Sequence, residues 1–432
     1  MTQIKNLRWW IAGLLALATA LNYLDRQSFP VAASQIRENI PLTDQQFSHL
    51  NSLFLLAYAL MYMGGGKLMD RLGTRTGYAV MIAWWSAANF LHGMATTVMG
   101  LGIYRFLLGM GEGGGFPGSG KAVAEWFPPK ERSFAFGIFN TGSSLGAVLA
   151  PPLIALIIVQ LDWRWVFFIT GSVGFLWAIA WFKLYQHPDK NQRITAEELE
   201  YIRREVAFLP KQQVETSIRW RDLFRYRQVW GLMAAKFLTD SAWYFFIFWL
   251  PKYLIDIRGL NIKEIGYYAW IPYAMMGAGS LLGGWLGSIL IRRGFTLDHS
   301  RKIALTLSAM LMPVSLLIGA SPLSLAIVFF SMAFFAHQFW SANVQTLAAD
   351  LFPAGIVGSV EGLLGSAGSF GGMLFGLLVG YVVTNYGYTF IFLIAGLMHP
   401  AALLLILALV RRIEPVQAPG LTTDDPLSVV GS

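Results

Sequence analysis

The stretch "RFLLGMGEGGGFPGSGKA", residues 105–122, decides the fold. Its glycines spell two nucleotide-binding patterns. Gly109, Gly111 and Gly114 fit G-x-G-x-x-G, and Gly115, Gly120 and Lys121 fit all but the last position of G-x-x-x-x-G-K-[ST]. Both patterns fail in context. The first needs a strand before it and a helix after it within a βαβ unit. The second needs Ser or Thr after the lysine to hold magnesium, and Ala122 stands there. The stretch lies inside a long apolar run, and nothing in the chain reads as a β-rich domain to host either motif. In lipid the same glycines have another use: small residues let helix backbones approach closely. Pro117 is expected to bend the helix.

The rest of the chain is of the same kind. Of 432 residues, 55% are hydrophobic and 13% charged, too little charge to cover a soluble protein of this length. Runs of about 20 apolar residues, each able to cross a hydrocarbon core about 30 Å thick, recur from end to end. Twelve lie near 9–31, 46–69, 76–97, 99–124, 133–160, 164–186, 229–255, 263–291, 302–320, 322–349, 357–383 and 388–411. The first resembles a secretory signal, with Lys5 and Arg8 before it and Ala18-Thr19-Ala20 near its end. Apolar character resumes after Asp25-Arg26, however, so it reads as the first transmembrane helix. Without cysteine there is no disulfide or thiolate metal site, and the six histidines show no metal-ligand spacing. No metal and no cofactor is expected.

The net charge of +8 invites a nucleic-acid partner, but its distribution argues otherwise. With both termini inside, the cytoplasmic segments carry 23 Lys and Arg and the outer loops 5: Arg37, Arg164, Lys252, Arg258 and Lys263. That asymmetry is the positive-inside rule, so the surplus sets orientation. The basic loop 183–227 is also suited to touch anionic lipid. The reading is a multi-pass membrane protein, monomeric, with both termini cytoplasmic, membrane lipid around it and no nucleic-acid partner.

Two halves are legible. Residues 1–186 hold six spans, 187–228 a cytoplasmic linker, 229–415 six more spans and 416–432 a cytoplasmic tail. In the linker, Thr195 and Glu198 make a capping box, and Leu199, Ile202 and Val206 form an apolar stripe, which predicts a short surface helix. "AEWFPPKERSFAFG" from Ala124 matches "ADLFPAGIVGSVEG" from Ala349. The offset of 225 also aligns Gly146 with Gly371. Related six-helix halves about a central axis are a transporter architecture, with the site near the midplane between them.

The charges within spans are not explained by packing. Arg105 and Glu112, seven residues apart, share nearly one helical face. The first span adds Asp25 and Arg26, with Asn22 about one turn before. Each charge at a helix centre costs roughly 2.5–3.5 kcal/mol on the insertion scale, so the four cost on the order of 10. Pairing offsets part of that cost. Arg26 is the expected counter-ion of Asp25, and Glu112 is expected to face Arg105. A purely structural salt-bridge network is the plain alternative, but ionisable groups inside a membrane default to function. Lys121 lies nine residues beyond Glu112, on the opposite face of a straight helix. Either the Pro117 bend returns it to a cavity or it snorkels to the cytoplasmic interface. In the seventh span, Lys236 and Asp240 read as a local ion pair beside Trp243 and Tyr244. In the tenth, His337, Gln338, Trp340 and Asn343 lie mid-span, and His337 takes the position of Glu112 in the other half. Trp84, Trp85 and Trp177 read as belt or core residues.

"GKLMDRLGTR" at 66–75, with Gly66, Asp70, Arg71, Gly73 and Arg75, resembles the loop signature G-x-x-x-D-R-x-G-R/K of the major facilitator superfamily. Within it, "NYLDRQS" (22–28), "YRFLLGMGEGGGFPGSGKAVAEWFPPKERS" (104–133) and "FAHQFWSAN" (335–343) resemble the anion:cation symporter group, especially bacterial hexuronate and galactonate transporters. The resemblance covers nearly the whole chain. It implies an all-α membrane fold of twelve helices in two pseudo-symmetric bundles, a place in the bacterial cytoplasmic membrane, and proton-driven uptake of a sugar acid by alternating access. By position, Asp25 and Glu112 look like the protonatable pair and Arg26 like the ligand of the substrate carboxylate. Arg105 looks like the residue coupling Glu112 to the site, Tyr23 and Tyr58 look like cavity lining, and Asp70, Arg71 and Arg75 look like the gating loop. "GSILIRRG" (287–294) lacks the Asp-Arg dyad, and Ala150-Pro151-Pro152-Leu153 replaces the antiporter pattern of the fifth span.

The chemistry agrees with this reading. A carboxylate substrate wants a fixed, permanently charged fork, which arginine supplies. Proton coupling wants a carboxylate whose proton affinity answers to burial and to a nearby arginine. A hydroxylated body wants amides and aromatic edges, which Asn22, Trp243, His337, Gln338, Trp340 and Asn343 offer. The expected function is proton-coupled symport of a hexuronate such as glucuronate or galacturonate. Rival substrates are an aldonate such as galactonate, an amino-acid anion or phosphate. An uncoupled facilitator and a non-transporting sensor are rival activities. A membrane enzyme would need a metal cluster or a nucleophile–base pair, and neither is visible.

Overall fold

The computed structural model describes residues 3–207, 220–352, 354–414 and 416. The expected tail beyond residue 416 and the middle of the linker lie outside the described residues. In chain order the helices are α1 (Leu7–Asn39), α2 (Asp44–Leu72), α3 (Thr74–His92), α4 (Val98–Glu112), α5 (Gly115–Trp126), α6 (Pro129–Gln160), α7 (Trp163–Leu184), α8 (Ala196–Ala207), α9 (Trp220–Leu223), α10 (Arg227–Asp256), α11 (Ile262–Tyr268), α12 (Trp270–Arg292), α13 (Leu297–Leu311), α14 (Leu323–Leu351), α15 (Ala354–Tyr386) and α16 (Tyr388–Leu409). A 3₁₀ turn, Met312–Leu317, extends α13. Each of the twelve expected spans coincides with one helix or with two segments joined end to end. Among the described residues, nine of these segments are long and apolar enough to cross a membrane by length and composition alone. The remaining three are polar or broken. α3 carries Arg75, Asn89 and His92, α10 carries Lys236 and Asp240, and α4 and α5 are each too short. Large apolar side chains such as Met99, Leu149, Leu281 and Leu404 point outward, fully half exposed or more, as lipid-facing residues do.

Two spans break for one reason. A proline cannot donate to the carbonyl four residues before it, and its ring crowds that carbonyl. Pro117 therefore interrupts the ladder at Gly113, and the break falls at Gly113–Gly114 rather than at the proline itself. Pro272 acts on Tyr268, where α11 ends. Pro251 frees the carbonyl of Ile247 inside α10, and the Tyr273 hydroxyl donates to it at 3.2 Å. A freed backbone group in a membrane protein needs such a partner.

Glycines set the helix spacing. A Cβ at Gly109 would stand 2.2 Å from the Phe54 carbonyl oxygen, and one at Gly113 2.7 Å from that of Tyr58. On the other side, a Cβ at Gly111 would meet Trp85 at 2.7 Å and one at Gly118 would meet Tyr78 at 2.4 Å. The quoted stretch is thus a wedge: one face lies flush on α2 and the other on α3. The same device closes α6 on α1, where Gly142 and Gly146 meet the carbonyls of Ala16 and Ala20, and α15 on α10, where Gly371 meets that of Phe237. Between residues 1–186 and 229–415, α2 packs along α15, α6 against α11 and α12, and α1 against α10.

The linker helix forms as α8, but its capping box is only half made. The Glu198 N–H donates to Thr195 Oγ1 at 3.3 Å, while the Glu198 carboxylate turns to α1. There it accepts from the N–H groups of Leu7 at 2.9 Å and Arg8 at 3.1 Å, and from the Arg8 guanidinium at 2.8 Å. Two orphan donors at a helix start plus a charged partner outweigh one backbone N–H.

The wedge predicts that Gly109→Ala, which drives a methyl group into the α2 backbone, lowers stability by about 1–3 kcal/mol. Gly64→Ala, where a Cβ meets nothing within 4 Å, should be neutral. Thermal melting of both detergent-solubilised variants checks this, and equal melting temperatures would contradict the wedge.

Candidate functional site

The polar residues of the first and fourth spans converge. Arg26 and Glu112 are 2% and 1% exposed and form an ion pair: Arg26 Nε and Nη2 both lie 2.9 Å from Glu112 Oε2. Asn22, one turn earlier on α1, accepts from Arg26 Nη2 at 3.1 Å. The guanidinium stands 4.8 Å from the ring centroids of both Tyr23 and Tyr58 and 5.5 Å from that of Phe54. Rings at this distance stabilise a desolvated cation by about 2 kcal/mol. Glu112 Oε1 is buried with no hydrogen-bond partner. Thr19, Asn22, Tyr78, Trp85, Glu112 and Phe116 line a narrow cavity of about 10 Å³ here, room for about one water molecule.

Two expected pairings are not made as direct contacts. Asp25 is not the partner of Arg26. It turns to the far side of α1, where Asn89 Nδ2 donates to its Oδ1 at 2.8 Å and also to Thr170 Oγ1 at 2.7 Å, leaving Oδ2 without a partner. Adjacent helix positions point about 100° apart, so Asp25 and Arg26 cannot share a face. Arg105 lies within electrostatic reach of Glu112 but makes no hydrogen bond to it. Its Nη2 donates to Asn51 Oδ1 at 2.7 Å, and its guanidinium lies 4.5 Å from the Phe54 ring, 5.0 Å from Phe29 and 5.8 Å from Phe248. Asn51, Asn89 and Thr170 were missed in the sequence. The available signal was a lone amide within each of spans two and three.

Lys121 does not join the group. Its Nζ reaches Asp70 at 2.7 Å and the Met69 carbonyl at 3.1 Å, so from the middle of α5 it braces the last turn of α2; the expected loop at 66–75 is helical but for Gly73. At the start of α3, Arg75 donates to the Phe182 carbonyl at 2.8 Å, and Thr74 donates to Glu125 at 2.6 Å. Arg71 is exposed. In the second half, Trp243 stacks on His337 with centroids 4.6 Å apart, and His337 Nδ1 lies 3.2 Å from His399 Nε2. Gln338 is half-buried. Asn343 stands apart from this group: its Nδ2 donates to Gly283 at 3.1 Å and Phe339 at 2.9 Å, tying α14 to α12. Lys236 and Asp240 form the expected pair at 2.8 Å.

A second charged cluster joins the halves at the end where α1 finishes and α2 begins. Asp44 accepts from Arg37 at 2.9 Å and from Lys252 at 2.7 Å; Arg37 lies 3.7 Å from Asp256, which Lys252 also contacts. Sequence reading counted Arg37 and Lys252 only as loop charges. Below this cluster, the Ser48 hydroxyl donates to the Gly376 carbonyl and Ser52 donates to that of Met373 at 3.0 Å, both from α2 to α15. At the opposite end the ion pairs Asp70–Lys121, Arg8–Glu131 and Arg301–Asp350 stay within one half. There, Cβ atoms at Gly358 and Gly362 of α15 would meet nothing within 4 Å.

This architecture of packed spans, with buried ion pairs at the centre and a closed seam at one end, matches a known family. The Major Facilitator Superfamily profile matches residues 15–297. The chain belongs to the major facilitator superfamily. It is a multi-pass membrane transporter and not an enzyme. It is 35% identical over 431 residues to the hexuronate transporter of Escherichia coli K12, covering 99% of both chains. It is 36% identical over 315 residues to the galacturonate transporter of Dickeya chrysanthemi, covering 72% of this chain and 91% of that one. A crystal structure of a bacterial homolog of the human lysosomal transporter Spinster superposes with TM-score 0.70 at 21% identity, covering 94% of this chain and 93% of its own. At that identity the likeness shows the fold alone.

Removing Asn51 leaves a superfamily member with a buried arginine short of its hydrogen bond. Asn51→Ala should therefore cost about 1.5–3 kcal/mol, read as a lower melting temperature in detergent. Wild-type melting would show that the three rings alone hold Arg105.

Proposed function

We propose that the protein is a proton-coupled symporter of a hexuronate, working by alternating access in the bacterial cytoplasmic membrane with both termini inside. The observation that carries this reading is the buried Arg26–Glu112 pair. A permanently charged fork wrapped by Tyr23, Tyr58 and Asn22 is a carboxylate receptor occupied by the protein's own carboxylate. A substrate carboxylate that takes Arg26 leaves Glu112 buried without its cation, and an uncompensated buried carboxylate is too costly to persist and takes up a proton. One anion and one proton then share the site. The names of the relatives, hexuronate and galacturonate transporters, support the substrate class.

In this reading the two halves move against each other. The Arg37–Asp44–Lys252–Asp256 cluster closes the outer mouth, and the halves part at the cytoplasmic end. The small cavity beside Glu112 does not hold a sugar, so binding requires the seam to open. Asp70, Lys121 and Arg75 stiffen the first half while it moves. Asp25, held apart by Asn89 and Thr170, is the second protonatable carboxylate.

Three outcomes are expected. Glu112→Gln should lose accumulation driven by a pH gradient while retaining substrate counterflow in proteoliposomes, and normal uphill uptake would remove the coupling role. Arg26→Lys keeps the charge and loses the fork, so hexuronate affinity should fall at least about tenfold by calorimetry; unchanged affinity would place the carboxylate elsewhere. The chain has no cysteine, which permits a clean cross-link. A Cβ at Gly277 stands 3.7 Å from Ser144 Cβ across the halves, within disulfide range. Oxidised Ser144→Cys/Gly277→Cys should block uptake, and reduction should restore it. Full activity of the cross-linked protein would contradict the rocking motion.

A further inference from the structure

Three ionisable side chains of the second half lie together where the sequence showed only a local pair. Lys236 and Asp240 are joined at 2.8 Å on α10, and Glu361 of α15 lies within electrostatic reach of both. α15 packs flush on the pair: a Cβ at Gly368 would stand 2.1 Å from Asp240 Oδ2. The other carboxylate oxygen, Asp240 Oδ1, is buried and has no hydrogen-bond partner. The cluster abuts the seam between halves. Tyr62 of α2 lies against Gly365, where a Cβ would meet its ring at 2.5 Å, and it is within electrostatic reach of Asp240 and Glu361. Tyr244 is within such reach of Asp240 and of Arg26. The Tyr58 and Tyr62 rings are 5.8 Å apart. Tyr58, Tyr62 and Tyr244 therefore connect the Arg26 site to the Lys236 cluster.

Charge decides what such a cluster accepts. Asp240 neutralises Lys236, and Glu361 adds a further carboxyl, so the three groups together carry a charge of minus one, or zero when Glu361 is protonated. His337 and His399, the nearest titratable groups from α14 and α16, lie within electrostatic reach of Lys236. They are packed against Trp243 and Trp340 and add no permanent cation. An ammonium that donates and carboxylate oxygens that accept can satisfy sugar hydroxyls, which do both. A second carboxylate would find no free cation and would be desolvated beside Asp240 and Glu361.

Resting on the sugar-acid reading above, we infer that Lys236, Asp240 and Glu361 hold the hydroxylated end of the substrate and reject a second carboxylate. The transporter then takes six-carbon sugar acids with one carboxylate and excludes those carboxylated at both ends.

Galacturonate and galactarate test this directly, since they share a carbon skeleton and differ in the second carboxylate. Uptake of each is measured with the full-length protein in proteoliposomes. The wild type should prefer galacturonate by at least about tenfold, because like-charge juxtaposition is costly. Glu361→Gln and Asp240→Asn, which each remove a negative charge, should raise the galactarate-to-galacturonate ratio by about tenfold. Equal wild-type uptake of both acids overturns the inference, as does an unchanged ratio in a transporting variant. The wild-type preference decides alone if neither variant folds. A wild type that transports neither acid removes the sugar-acid reading and this inference with it, whereas galacturonate uptake with an unchanged ratio removes this inference only.

Discussion

A single carboxylate oxygen, Glu112 Oε2, receives two nitrogens of Arg26, and much of the first half is arranged so that this contact exists. The pair is wholly buried. Neither charge is tolerable alone there: removing one partner of such a pair costs about 3–5 kcal/mol. The two residues come from different helices, and each helix is held in place by a neighbour that packs flush against it. Gly109 and Gly113 let α4 lie on the backbone of α2, while Gly142 and Gly146 let α6 lie on α1, which carries Arg26. The break at Gly113–Gly114 follows directly after Glu112 and ends the helix that presents it. The glycines that imitate a phosphate loop are thus the scaffold of a charged site.

The fold was almost entirely legible in the sequence because its signals are long-range averages. Twelve apolar runs, a positive-inside bias and one internal match do not depend on any single contact. The site was legible as a set of residues and not as a set of bonds. Arg26, Glu112, Asn22, Tyr23 and Tyr58, all singled out in the sequence, come together in space, but through a pairing the sequence did not suggest. The partners of Asp25 and Arg105 did not follow, because adjacency in sequence is not adjacency in space: Asn89 and Asn51 lie 64 and 54 residues from the groups they bind. Lys121 was open between two readings, and the structure sends it to Asp70. Glu361 gave no local signal, since its partners Lys236 and Asp240 belong to another helix.

The charges divide by task. The pair at the centre is buried and ring-lined. The cluster of Arg37, Asp44, Lys252 and Asp256 spans the halves at the end where α1 finishes. Lys252 is buried within it while the other three are partly exposed, so the cluster ties the halves together more firmly than a surface pair would. The pairs Asp70–Lys121 and Thr74–Glu125, where α2 meets α3, tie both helices to α5 within one half. A transporter needs all three kinds: a site that binds, a seam that opens and bodies that do not bend.

The central claim is that a substrate carboxylate and Glu112 compete for Arg26, with a proton replacing the lost cation. Proton exchange on binding tests it most directly, by linkage. Galacturonate is added to purified protein in weakly buffered detergent solution near neutral pH, and the change in bulk pH is followed. The account predicts proton uptake by the protein, seen as alkalinisation that saturates with binding and disappears in Glu112→Gln. Binding without proton uptake, or with proton release, would contradict it.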